Sequence, residues 1–275
     1  MLRSLDSSIS ALQQFQQQMD VIGNNIANVD TTGFKSAQTG FEDTFSQTLQ
    51  GGASGSMQIG TGVNTSAIVN RFSQGTITNT GVQTDLAING NGFFLVRDAA
   101  SGSQYASRDG SFQLDANGYL INSQGLRVQG FADAGLTARG DIQIDATGAP
   151  ASAAPGATVA SFSIGPDGKI TVRLTDGTQF TRGQVLLQNF ANPQALSKSG
   201  DNLYSGLTAA GPLAQSQAPG SGSLGGLQAG ALEMSNVDLT NEMASLITAQ
   251  RAFEASSRVV ITSDQILQDV VGMKR

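Results

Sequence analysis

The hydrophobic rhythm of the chain changes twice. From the start, Leu2, Leu5, Ile9, Leu12, Phe15, Met19, Ile22, Ile26 and Val29 recur at steps of three or four, the spacing of one helix face. The pattern predicts an amphipathic helix over about residues 2–28. Toward the other end, Leu239, Met243, Leu246, Phe253, Val260, Leu267 and Val271 fall at steps of three, four or seven, as in a heptad seam. Ser235 or Asp238 can cap this second helix, and Asp238 and Glu242 put negative charge in its first turn, where the macrodipole favours it.

Between the two helices the rhythm shortens to alternating or apolar runs at 93–97, 112–114, 119–121, 162–164, 170–174 and 185–190. Turn-forming dipeptides punctuate them at Asp109-Gly110, Asn117-Gly118, Asp167-Gly168 and Asp176-Gly177, as expected of β-hairpins. The expected fold is α+β, with long N- and C-terminal helices pairing as a coiled coil and a central all-β domain of short hairpins. Residues 1–30 and 236–275 form the helical domain, 31–75 an extended connection with a short helical turn over 41–49, and 76–235 the β-rich domain. Residues 131–155 and 212–226, rich in Gly and Pro with Ala or Ser, are expected as links.

An isolated helix is weakly held, whereas each covered Leu, Ile or Val contributes roughly 1.5–3 kcal/mol. The helices therefore need each other or other copies. Either they form a two-helix layer on the core of the same domain, or they stand apart as a coiled coil that joins subunits.

The 275 residues allow one or two domains. With 15 Lys and Arg against 21 Asp and Glu, the net charge is -6 and no basic cluster interrupts it, which argues against a nucleic-acid partner. Charged residues are only 13% of the chain, so its surfaces can pack together with little ion desolvation. The absence of cysteine and histidine excludes disulfides, Ser-His-Asp and Cys-His catalysis and thiolate zinc sites. No stretch has the apolar core of a signal peptide or a membrane span, so any export is expected without an ordinary cleaved signal.

Four carboxylates, Asp109, Asp115, Asp167 and Asp176, are candidates for acid/base chemistry, but each sits in a turn context where it can accept nearby backbone N–H groups. The stretch GSGSLG at 220–225 has the letters GxGxxG but follows QAP rather than a strand and opens no helix. The triplet Asn64-Thr-Ser is a glycosylation pattern common by chance. No catalytic, cofactor-binding or metal-binding residue is assigned.

The stretch NNIANVDTTGFK at 24–35 holds a surplus of amides. Asparagines can satisfy free carbonyl and N–H groups at a helix end, and Gly33 can turn left-handed. One such residue would suffice, yet Asn24, Asn25 and Asn28 alternate with Ile22, Ile26 and Val29. Together with Gly33 and Phe34 they are expected to form a junction that fixes how the helix leaves its coil.

That stretch, continued by GFED at 40–43, is followed by TDLAINGNGFFLV at 84–96, Tyr105, RDGSFQLDANGYLIN at 108–122, and GALEMSNVDLTNEMASLITAQRAFEASSRVVITSDQIL at 230–267. In this order they resemble the axial rod and hook proteins of the bacterial flagellum. The stretch VLLQNFANPQALSKSGDNLYSG at 185–206 is similar to hook proteins, which usually carry extra β domains about where 131–155 lies. The short link here, and a 51–62 stretch longer than a compact hook sequence needs, are similar instead to the distal rod protein. The expected member is a short hook-type subunit, with the distal rod protein as the alternative.

The resemblance implies a structural subunit, without cofactor or small-molecule substrate, that polymerises into a helical tube transmitting motor torque and enclosing the export channel. The terminal helices would form an inner coiled-coil layer and the β domain a shell. The seam residues would make contacts within and between subunits, and Gln13, Gln14, Gln16, Gln17 and Gln18 would add uncharged hydrogen-bonding surface there or toward the channel. Implied partners are other copies, neighbouring rod, hook-cap and hook-filament junction proteins, and the type III export apparatus, in the hook-basal body. A secreted β-rich adhesin with a helical oligomerisation stalk is the rival from another class.

Overall fold

The computed structural model describes residues 2–49, 57–151, 153–154, 156–212 and 215–273. They belong to two compact units, one of Met1–Val29, Lys35–Arg71 and Val237–Arg275, the other of Asp30–Phe34 and Phe72–Asn236. The expected connection at 31–75 is thus divided, with 35–71 in the first unit and its two ends in the second.

In the first unit, helix α1 spans Leu2–Ala27 and helix α2 spans Leu239–Gly272. Of the two expected caps, Asp238 serves: its carboxylate accepts from the backbone N–H of Thr240 and Asn241, filling donors that the first helical turn leaves open. Another flank of α1 packs on an antiparallel hairpin of Ala37–Asp43 and Val63–Asn70. The helical turn expected over 41–49 is absent. Residues 41–43 and 46–49 are strand instead, with Ser46–Leu49 paired to Met57–Gly60. The four-residue spacing of Phe41, Phe45 and Leu49 imitates a helix, but Phe45 is 91% exposed. Thr44 donates to the carbonyl of Gly62 at 2.9 Å and Thr61 to that of Phe45 at 2.6 Å, and these partners distant in sequence hold the segment extended. The 51–62 stretch lies outside the described residues over 51–56.

The second unit is built on an antiparallel sheet in the order Val159–Ile164, Lys169–Leu174, Gln179–Val185, Arg127–Phe131, Phe93–Arg97, Gln104–Ser107, Leu203–Ser205, Ser197–Gly200. Two smaller pairs join Leu86–Asn89 to Gly226–Ala229 and Ile77–Asn79 to Ala231–Glu233. Within the stretch expected as a link, Arg139–Asp141 forms a strand against Arg127–Phe131.

Three of the four turn dipeptides close hairpins, at Asn117-Gly118, Asp167-Gly168 and Asp176-Gly177. Asp109-Gly110 does not: Gln104–Ser107 pairs with Phe93–Arg97 and Leu203–Ser205, while Ser111 bridges to Asp85. Glycine is needed at 110 for space, because a Cβ there would lie 1.7 Å from the Leu86 carbonyl oxygen.

Alternation along these strands buries Leu86, Ile88, Phe94, Val96, Phe112, Leu120 and Val128 in one core. A second, aromatic cluster sets Phe72, Phe93, Phe190 and Tyr204 edge to face at 5.4–6.1 Å, a geometry that adds to their area burial.

Candidate assembly surface and helix junction

On α2, Leu246, Phe253, Val260 and Leu267 are half-buried, seven residues apart, and Ala249 and Ser263 are fully buried beside them. Small residues in that row let the facing helix approach. On α1, Ile22 is buried, and Leu5, Leu12, Met19, Ile26 and Val29 are half-buried. The side chain of Leu2 lies outside those described. Three expected seam residues are open in the single chain: Ile9, Leu239 and Met243 are 39–49% exposed. Phe15 turns to the hairpin and meets Phe41 edge to face at 6.5 Å. The apolar stripe is therefore wider than the contact between α1 and α2, and Ile247, Val259, Ile261, Ile266, Val270, Val271 and Met273 extend it as exposed residues. Sequence reasoning left out all of these but Val271, although their number on one helix exceeds what a single seam can cover.

Two of the glutamines, Gln14 and Gln17, also face the hairpin. The Thr65 hydroxyl lies within hydrogen-bond distance of the side-chain amides of Gln14 and Gln17, the latter at 2.8 Å, whereas Gln13 and Gln16 are exposed.

The junction residues fall into two groups. Asn25, 1% exposed, donates through Nδ2 to the Ala37 carbonyl at 2.8 Å and to Glu242 Oε1 at 3.2 Å, and accepts from Ala37 N–H at 3.0 Å. One amide thus pairs with the hairpin strand as a backbone would and ties it to the first turn of α2. Asn28 closes the end of α1, its backbone N–H and its side chain both donating to the Asn24 carbonyl at 3.2 and 2.9 Å. Asn24 contributes that carbonyl, and its side chain is exposed.

Gly33 and Phe34 belong to the second unit. Gly33 has φ +66°, donates to the Glu233 carbonyl at 2.7 Å, and leaves no space for a side chain, since a Cβ would lie 2.5 Å from the Asp109 nitrogen. Thr32 donates to Asp109 Oδ1 at 3.0 Å and accepts from Asn202 at 2.8 Å. Phe34 is buried with the Lys198 ammonium 4.3 Å from its ring centre, and burial lowers the pKa of that lysine.

Beneath this docked segment lies a buried ion pair that the sequence reading missed. Arg108 donates to Glu233 Oε2 at 3.1 Å, and Gly75 N–H donates to Oε1 at 2.9 Å. The guanidinium lies over Phe93 at 5.1 Å. Its burial lowers the Arg108 pKa against the opposing pull of Glu233. Both residues stand inside the stretches that carry the family resemblance, which was the available signal. A second network gathers Arg97, Arg127 and Gln129 on Asp141. Burial raises the pKa of that carboxyl, but the hydrogen bonds outweigh it and the net shift is downward.

The carboxylates weighed for catalysis cap turns: Asp109, Asp115, Asp167 and Asp176 accept from the backbone N–H of Ser111, Ala116, Lys169 and Thr178 at 2.7–3.2 Å. GSGSLG leads into the strand Gly226–Ala229. Among the described residues, no helix is long and apolar enough to cross a membrane.

A long antiparallel helix pair made from both chain ends, with an apolar flank left open and polar residues spent on backbone hydrogen bonds, defines a structural assembly subunit. Family comparisons agree along the chain. Residues 5–35 match the flagella basal body rod protein family, 87–172 the flagellar hook protein FlgE/F/G D1 domain, and 228–273 the flagellar basal body rod FlgEFG protein C-terminal family. The flagellar basal-body rod protein FlgG of Bacillus subtilis is 40% identical over 283 residues, covering 100% of both chains. That of Agrobacterium fabrum is 36% identical over 96% of this chain and 97% of its own. The flagellar hook protein FlgE of Salmonella typhimurium is 27% identical over 413 residues, covering 98% of this chain and 100% of its own. A solved Helicobacter pylori hook protein, FlgE2, is 12% identical over 66% of this chain and 47% of its own, with a TM-score of 0.24, too weak a likeness to argue from. The chain belongs to the flagellar rod and hook protein family, whose members are structural subunits and not enzymes.

Proposed function

We propose that this chain is a rod subunit of the flagellar basal body, the distal-rod alternative, and that the hook preference drawn from residues 185–206 gives way to it. One observation carries the choice. The Bacillus subtilis rod relative aligns end to end over 283 residues at 40% identity, whereas the hook relative needs 413 aligned positions for nearly the same share of this chain and reaches 27%. The extra positions suit additional β domains in hook proteins.

Copies of the chain polymerise into a helical tube. Residues 1–30 and 236–275 form its inner layer, 31–75 the connection and 76–235 the shell. Seam residues such as Ile22, Leu246, Phe253 and Val260 hold the inner layer, and neighbouring axial proteins meet the tube at its ends. Subunits arrive through the flagellar export apparatus without a cleaved signal. Support for this reading comes from the apolar α2 flank left open in one chain and from the low charge, which makes copy-to-copy packing inexpensive.

Complementation tests the choice of member. The gene is expected to restore a complete rod, seen by electron microscopy of isolated basal bodies, in a strain lacking its rod subunit. Restoration of hooks alone, in a strain lacking its hook subunit, would overturn the assignment.

A further inference from the structure

Asparagine followed by glycine occurs at Asn89-Gly90, Asn91-Gly92 and Asn117-Gly118. In such a pair the glycine nitrogen, with no Cβ beside it, can attack the side-chain amide of the asparagine before it. That attack requires the nitrogen to give up its proton, so a hydrogen bond that holds the N–H shields the pair. Two of the three are shielded in this way. Gly90 N–H donates to Gln74 Oε1 at 3.0 Å, and Gly118 N–H donates to the Asp115 carbonyl at 2.8 Å. The Gly92 N–H has no acceptor among the described residues, although Gly92 is buried, where a backbone donor is nearly always paired.

The surroundings also keep glycine in this pair. Gly92 has φ +133°, and a Cβ there would lie 3.1 Å from Leu224 Cδ2 and 3.4 Å from Leu187 Cβ, so a larger residue that would slow the attack meets both strain and crowding. Asn91 is exposed, which admits water to its amide. Its backbone carbonyl accepts from Gly225 N–H at 2.8 Å, which polarises that carbonyl.

We infer that Asn91 is a site of spontaneous deamidation in the folded chain, ahead of Asn89 and Asn117. The Gly92 nitrogen loses its proton and bonds to the side-chain carbonyl carbon of Asn91. The bond from that carbon to the amide nitrogen breaks, and ammonia leaves. The product is a five-membered cyclic imide whose nitrogen carries no hydrogen, so ring closure removes the unpaired buried donor. Water then adds to one imide carbonyl. Breaking the bond from the side-chain carbon to the ring nitrogen gives aspartate, and breaking the main-chain bond gives isoaspartate. Either product adds a negative charge. Isoaspartate also lengthens the main chain by one methylene between Leu86–Asn89 and Phe93–Arg97, strands that place Leu86, Ile88, Phe94 and Val96 in the core.

The test follows all three pairs in purified full-length chain, kept folded in mildly alkaline buffer and digested at intervals. Tandem mass spectrometry reads the exchange of NH2 for OH at each asparagine and separates aspartate from isoaspartate. Asn91 is expected to deamidate roughly 2–10-fold faster than Asn89 and Asn117, the factor that the net strength of one shielding hydrogen bond supplies. In urea, with the fold lost, the three rates are expected to converge. Gln74→Ala, at an exposed position, frees the Gly90 N–H and is expected to speed Asn89 by a similar factor while Asn91 stays unchanged. Equal rates in the folded chain, a lead by Asn89 or Asn117, or an Asn91 lead that survives unfolding overturns the inference. So does a Gln74→Ala variant with no faster loss at Asn89.

Discussion

Asn25 shows how much one side chain contributes to the exit of α1, because its three hydrogen bonds reach two other elements from a site closed to water. Asn25→Ala leaves the Ala37 amide and carbonyl and the Glu242 carboxylate short of partners, and is expected to cost roughly 1–3 kcal/mol, seen as a lowered melting temperature of the helical signal of assembled polymer, where the terminal helices are covered. Asn24→Ala, at an exposed side chain, is expected to stay within about 0.5 kcal/mol of the parent; equal losses for the two would contradict the division of roles. The sequence marked both residues alike, because amide composition cannot tell which of two neighbours on a helix faces the hairpin.

Acid sensitivity is a second residue-scale expectation. The Asp141 pKa is lower folded than unfolded, so its ionised form favours the folded state. This stabilisation is complete above the unfolded carboxylate pKa of about 4 and is lost as pH falls through the lower folded value. Asp141→Asn is expected to lower stability at neutral pH and to flatten the fall in the urea midpoint on acidification. An unchanged acid slope would mean that the network on Asp141 contributes nothing.

At the scale of elements, both helices were legible because their apolar spacing is long and regular, and three hairpins because an Asn-Gly or Asp-Gly pair lies between their strands. Asp109-Gly110 misled because its glycine answers to the Leu86 carbonyl, a contact made by topology. The strands between residues 37 and 70 were missed since each pairs with a segment beyond a connection, while Phe41, Phe45 and Leu49 happen to repeat at helical spacing. Within the helix pair, Ile22→Asp and Leu246→Asp put a carboxylate into the covered row without a cation to meet it. Both variants are expected to lose sedimentable polymer while circular dichroism still reports the β signal. Normal polymer from either would show that the row is not an assembly element.

For the whole molecule, the two units contrast in how they close their apolar surface. The second unit buries complete layers, including Phe94, Val96, Leu120 and Val185, whereas α2 leaves a long apolar flank open. Terminal segments that lack this cover recover less of their ordering entropy in the free chain. Hydrogen exchange on verified monomer is expected to be rapid before about Asn28 and after about Asp238, and slow in the strands around Phe94. Protection of the termini equal to that of the β core would mean that the helices need no neighbours. The sequence showed that both chain ends belong together through their shared family resemblance and matching stripes. It did not show that residues 30–34 dock on the β unit, because that depends on the fit of Gly33 against Asp109.

Electron cryomicroscopy of polymer grown from the purified full-length chain tests the central claim most directly. The expected result is a hollow helical tube with paired terminal helices around the channel and the β units outside. Monomers that remain dispersed at assembly concentrations, or a polymer whose channel is lined by the β units, would contradict it.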